Sequence, residues 1–262
     1  PFRRLLLGIA GPAVGSSRQL PSVRVCEPPT SNLVPDFIKN SLNRPELADV
    51  EFLLMPNGGS QRILYAHRLV LAASCEHFQT MFTSGYAEGS GSSGCLRLDL
   101  PDWVSARPML WMLAYLYQGF DVQKAQAVAY ELDRRESSVP ETSTASAANW
   151  VSRRRLAKLQ FADDDAGEDL CCLLRLSEYY DLGHLKQWTE NQLQRLLTPE
   201  NLVALTTHAY FCNASQLLRL CVYHLQQLYS ELVGQDDWEE LEPAIKELVL
   251  TDLGNDSSAT TV

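Results

Sequence analysis

Between Ile63 and Glu88 the chain reads ILYAHRLVLAASCEHFQTMFTSGYAE, and its hydrophobic pattern changes period with no linker in between. A strand-like run, RILYAH, ends on His67 and passes straight into a helical pattern. The strand's partner lies just upstream: DVEFLLM is the largely apolar run that a buried sheet requires, and PNGGS between them is a turn that closes a hairpin. Past His67, Leu69, Val70 and Leu71 form a continuous apolar run, and Ser74 offers an N-cap. Phe78, Met81 and Phe82 then follow at helical spacing, with Gly85 placed to end the helix. The stretch reads strand, helix, helix, and at the junction a lone histidine is a hydrogen-bonded structural residue before it is a ligand or a base.

The flanks extend this pattern. LVPDFIKNSL reads as a short amphipathic helix, GSGSSG as a flexible linker, and CLRLDLPD alternates Leu96, Leu98 and Leu100 as a half-buried strand does. Ser105 caps a helix with Pro108 in its first turn and Gly119 beyond its end. Met109, Met112, Leu113 and Leu116 form its core stripe. Trp111 and Tyr115 form a second stripe that a two-layer packing leaves partly exposed, as a partner site or under a neighbouring helix. Residues 122–168 are polar, charged and rich in Ser, Thr and Ala, and read as a long insertion. Helical periodicity returns from Asp169 to about Leu253. It runs through DLCCLLRLSEYYDL, HLKQWTENQLQRLL, a Thr198-Pro199 helix start, a helix pair joined at Asn213, and WEELEPAIKELVL. Residues 1–32 read as a linker or tail, and 254–262 as a polar tail.

Composition narrows the function classes. With 45% hydrophobic and 21% charged residues, the chain can bury a real core. Its net charge of -10 disfavours nucleic acid and anionic membranes as partners, because both require a concentrated cationic face. No apolar run approaches the ~20 residues of a spanning helix. Seven cysteines without a CxxC pair suit free thiols in a reducing compartment, cytoplasmic or nuclear. In such a compartment the Asn213-Ala-Ser and Asn255-Asp-Ser glycosylation patterns go unused. The basic N-terminal stretch has the composition of a transit segment, and the absent initiator Met equally fits a piece of a longer protein. The basic run 153–155 reads as a solvated face or a docking patch. Phosphorylation within ESSVPETSTAS would create a switchable anionic site. No nucleophile–base pairing, paired acids or metal-ligand cluster emerges, so neither an enzyme nor a cofactor or metal is expected.

Together ADVEFLL, the opening stretch, CLRLDLPD, MLWMLAYLYQG and LLRLSEYYDLGHLKQWTENQL resemble, in order, a BTB/POZ domain. LTPENLVALTTHAYFCNASQLLRLCVYHL resembles the start of the helical BACK extension that follows many such domains. The resemblance implies an α+β fold, a small sheet capped by helices over 33–197 with the insertion at 122–168, and a partial BACK-like region over 198–253. It also implies a homodimer, with Asp49 and Arg68 as a charged pair near the dimer surface. If buried, the two must compensate each other; otherwise both are solvated at the ends of their elements. Many members link an unidentified protein substrate to a cullin-3 ubiquitin ligase through a hydrophobic-x-Glu motif. Met109, Leu110 and Trp111 match that motif with Trp in place of Glu, and with Tyr115 they make the candidate cullin or partner surface. Cys171 and Cys172 are similar to the paired cysteines of zinc-linked relatives of the fold, but the upstream His-x5-Cys is absent, and buried thiols are the plainer reading.

Overall fold

A computed structural model describes residues 36–55, 61–84, 95–137, 164–234, 236–239 and 241–257. The readings placed on Gly85, on the PNGGS and GSGSSG turns, on residues 1–32 and on the basic run 153–155 lie outside these residues. The short helix α1 (Asp36–Lys39) and a 3-10 turn (Pro45–Leu47) lead into a three-stranded sheet of order β2-β1-β3. β1 (Val50–Leu54) pairs antiparallel with β2 (Arg62–Ala66) and parallel with β3 (Leu96–Asp99). Along β1, Val50, Phe52 and Leu54 are buried and alternate with half-buried Glu51 and Leu53. One face of the sheet therefore meets the core, and the register that opposes Val50 to Ala66 and Phe52 to Leu64 puts all four residues on that face.

Between β2 and β3 lie α2 (Arg68–Ser74) and α3 (Glu76–Thr83). The expected N-cap at Ser74 falls one residue later: Cys75 is extended and serves as the N-cap of α3, while Ser74 ends α2 and donates its hydroxyl to Leu116 O at 3.4 Å. From α3, Phe78 packs edge-on to Phe52 and stacks on Tyr180. Burying rings of this size contributes about 1.5–3 kcal/mol each.

Helix α4 (Ala106–Tyr117) is the centre of the molecule. Every residue from Pro108 to Tyr117 is buried, so the helix is apolar all round and packed all round. The chain leaves it through Gly119 at φ 67°, a left-handed stop that glycine adopts without strain. The stretch read as an insertion begins with a helix, α5 (Val122–Ser137), packed along α4. Helix α6 (Asp164–Tyr179) starts before the expected Asp169 and packs on α4 and on α7 (Gly183–Arg195).

The remaining helices are α8 (Leu202–Phe211), α9 (Ser215–Gln227), α10 (Tyr229–Leu232), α11 (Asp236–Glu239) and α12 (Pro243–Ser257). Thr198-Pro199 does not start α8. Asn201 is its N-cap residue, and its side chain is spent on the preceding turn, accepting from Thr198 N and donating to Leu196 O, both at 2.9 Å. The segment WEELEPAIKELVL divides in two, because Pro243 lacks the N–H that a continuing helix would use and opens α12 instead. α12 also carries helical backbone into 254–257, read as tail.

Candidate interaction surface

The strand-to-helix junction is closed from two other elements. His67 leaves β2 extended and its side chain does not cap α2. Asp49, the residue before β1, lies beside the junction because its own N–H donates to Ala66 O at 3.2 Å. From there its Oδ1 accepts the Arg68 backbone N–H at 2.7 Å. A carboxylate on an orphan donor of a first helical turn is a charge-assisted bond at the positive end of the helix. Asp49 and Arg68, expected as a charged pair, thus meet through the backbone of one and the side chain of the other.

His67 is tied to α4. Its N–H donates to the Tyr117 hydroxyl at 2.8 Å, and its Nδ1 lies 2.9 Å from the same oxygen. The hydroxyl can accept from the N–H and share a second hydrogen bond with Nδ1. Burial pushes the Tyr117 phenol far up, so it keeps its proton. His67 Nε2 and Arg68 Nε are buried without a hydrogen-bond partner among the described residues.

Exposed apolar side chains flank this junction. Leu69, next to Arg68, is 78% exposed, and Leu47, two residues before Asp49, is 56% exposed. Large side chains left in water beside a cap that fixes their backbones form a surface suited to another apolar face.

The other candidate surface is not a surface. Met109 and Leu110 are fully buried, Trp111 is 7% exposed and Tyr115 2%. Trp111 lies edge-on to Trp188 of α7, and Tyr115 packs against Phe120 with its hydroxyl 2.9 Å from His184 Nδ1. The expectation of a partly exposed stripe is corrected for a physical reason: α5 and α6 both pack on α4, and α7 closes over the stripe with Trp188 on Trp111 and His184 on Tyr115.

Two polar features had no signal in the sequence. Asp133 on α5 accepts Arg62 Nη1 of β2 at 2.9 Å and Arg107 Nε of α4 at 3.1 Å, and Arg107 Nη1 donates on to Asp169 of α6 at 2.9 Å. This chain of charges fastens α5 and α6 to the sheet and α4. Farther along, Glu190 of α7 is 3% exposed, and its Oε2 accepts the backbone N–H groups of Gln216 and Leu217 in the first turn of α9, at 3.1 and 2.9 Å. Desolvation raises its pKa against these bonds and against Lys186, with Glu178 adding to the rise.

Among the described residues no group of His, Cys, Asp and Glu is placed to hold a metal, and Cys171 and Cys172 are buried free thiols. Burial pushes Cys172 and Cys212 to about 11 and Cys221 to about 12, which keeps these thiols protonated and inert. No described helix is long and apolar enough to cross a membrane.

Residues 38–133, from α1 to Asp133 on α5, match the family model of the BTB/POZ domain. No curated protein matches the chain.

Proposed function

Because the chain carries a BTB/POZ domain followed by further helices, we propose that it is a protein–protein interaction module that pairs with a second copy of itself through the face around Asp49 and Arg68. The observation that carries this reading is the exposure of Leu47 and Leu69 on either side of the Asp49 cap. Removing a leucine of this kind from water contributes about 1.5–3 kcal/mol, and a two-fold axis uses each side chain twice. The pair then acts as a scaffold, presenting duplicated binding sites to a protein partner. The free thiols among the described cysteines fit work in the cytoplasm or nucleus.

A second reading makes the same dimer a substrate adaptor for a cullin-3 ubiquitin ligase. What supports it is the run of helices α8 to α12 behind the domain, in the place where BACK extensions stand. What counts against it is the burial of Met109, Leu110 and Trp111.

Light scattering on the purified chain tests the dimer. The expected mass is twice that of one chain, falling to one chain in a Leu47→Glu, Leu69→Glu variant with an unchanged circular-dichroism spectrum. A wild-type monomer at micromolar concentration would remove the reading. Pull-down of the cullin-3 N-terminal region by the folded dimer separates scaffold from adaptor: retention selects the adaptor, and its absence leaves the scaffold.

A further inference from the structure

The turn between α7 and α8 carries a dipeptide that the fold leaves unused. Of the thirteen prolines in the chain, Pro199 alone follows a serine or threonine, and Thr198-Pro199 is the pair that proline-directed kinases read. Pro199 has no N–H for such a cleft to satisfy. The pair lies outside both helices, and α8 starts from Asn201 instead. Thr198 is half-buried; its hydroxyl makes no hydrogen bond among the described residues and is not shut from water. Two groups near it would meet an added negative charge. Arg195, three residues earlier in the last turn of α7, is exposed and has no ion pair among the described residues. Asn201 turns its side chain back onto Thr198 N and Leu196 O, so the first-turn N–H groups of α8 have no side-chain cap.

We infer that Thr198 is a phosphorylation site, and that its phosphate ties the end of α7 to the start of α8. A kinase cleft takes its substrate extended, and the turn opens by releasing the Asn201 side chain, with neither helix unwound. The Thr198 hydroxyl oxygen then attacks the γ-phosphorus of ATP. The bond from that phosphorus to the β–γ bridging oxygen breaks, ADP leaves, and the hydroxyl proton passes to the catalytic base of the kinase. The product carries roughly -1.5 to -2 charges. The chain keeps turning past α7, with Leu197 N on Gln194 O at 3.4 Å, so Arg195 and Thr198 lie about one turn apart. On the other side Asn201 N closes onto Thr198 O at 3.3 Å, which sets the phosphate at the positive end of α8. A guanidinium and an uncapped helix start both favour an anion there, and together they outweigh Glu200, the acidic residue of the same turn. The modified joint is stiffer, and it holds α8 and α9 more firmly to the helices packed on α4.

The test uses the full chain, ATP with magnesium, and a kinase of the cyclin-dependent type. Tandem mass spectrometry is expected to place the phosphate on Thr198, with incorporation lost in Thr198→Ala and strongly reduced in Pro199→Ala. Hydrogen exchange of the modified chain is then expected to slow over residues 202–204 by about two- to fivefold, and by less in Arg195→Ala carrying the same phosphate. Phosphate placed only on other residues, or none incorporated, overturns the site assignment. Phosphate on Thr198 with unchanged or faster exchange at the start of α8 overturns the tie, and a full effect in Arg195→Ala overturns the part given to Arg195. Because modified and unmodified forms of the same chain are compared, the wild-type result stands even where a variant folds poorly.

Discussion

Replacing Glu190 by alanine should be among the most damaging single changes in the helical half. The side chain is 3% exposed and its Oε2 serves the Gln216 and Leu217 N–H groups. Removing it leaves both donors at the start of α9 without that acceptor, and Leu217 is fully buried, so water has no ready access there. Stranding the buried Leu217 donor costs about 1–3 kcal/mol, and the lost bond to half-exposed Gln216 adds about 0.5–1.5 kcal/mol, which sets the expected loss at roughly 1.5–4 kcal/mol. Glu190→Gln keeps an acceptor oxygen of the same reach and removes the charge, so it separates the bond from the ionisation. Burial raises the Glu190 pKa in the folded chain above its unfolded value, so the folded state holds this proton more tightly. The stabilising effect of that proton is present at and below the unfolded value and fades as pH rises through the folded pKa. Wild type should therefore gain stability relative to Glu190→Gln as pH is lowered from neutral towards the ordinary carboxyl range. Urea unfolding of wild type, Gln and Ala forms at pH 7.5 and 5 measures this directly. A loss under about 0.5 kcal/mol for Ala, or a wild-type minus Gln difference independent of pH, would refute the reasoning.

Trp111→Ala removes a buried indole packed on Trp188 and should cost about 3–5 kcal/mol in denaturant unfolding; a stability within error of wild type would return Trp111 to the surface. Tyr117→Phe deletes only the hydroxyl that serves both His67 N and Nδ1, and a thermal melt should show about 1–3 kcal/mol lost. An Asp49→Ala change should cost about 0.5–2 kcal/mol through the lost cap on α2, and a melting point equal to wild type would show the cap to be idle. In the native chain, Cys172, Cys212 and Cys221 should react with a thiol reagent only after denaturant is added, because burial keeps them protonated.

The hairpin, the direct passage into α2 and the limits of α4 were legible because period, turn residues and a terminal glycine agree at each boundary. Helix α5 was not, and its packing explains why. It meets α4 through Val122, Ala125 and Ala129, and small alanines that allow close approach add little to a hydropathy pattern, so the helix reads as polar chain. Trp111 and Tyr115 looked uncovered because their cover, Trp188 and His184 of α7, lies some seventy residues on and sequence spacing does not record the contact. The proximity of Asp49 and Arg68 was implied by family likeness, but the bond itself runs to a backbone N–H, which no side-chain pattern encodes. Glu190 was hidden for a related reason. Its target is the start of another helix, and sequence spacing carries no record of where a carboxylate finds donors in space. The shift of the α8 cap from Thr198 to Asn201 shows local polar groups competing for the same turn, a contest that propensity alone leaves open.

Helix α4 has no outside. On most helices some positions drift freely between homologues because water accepts nearly any polar side chain there. From Pro108 to Tyr117 no such position exists, so inherited change in this segment must be matched by change in the helices around it. Change that needs no such matching has to fall on the periphery, on exposed positions such as Phe211 and Leu248, which can vary without disturbing the rod on which the rest is assembled.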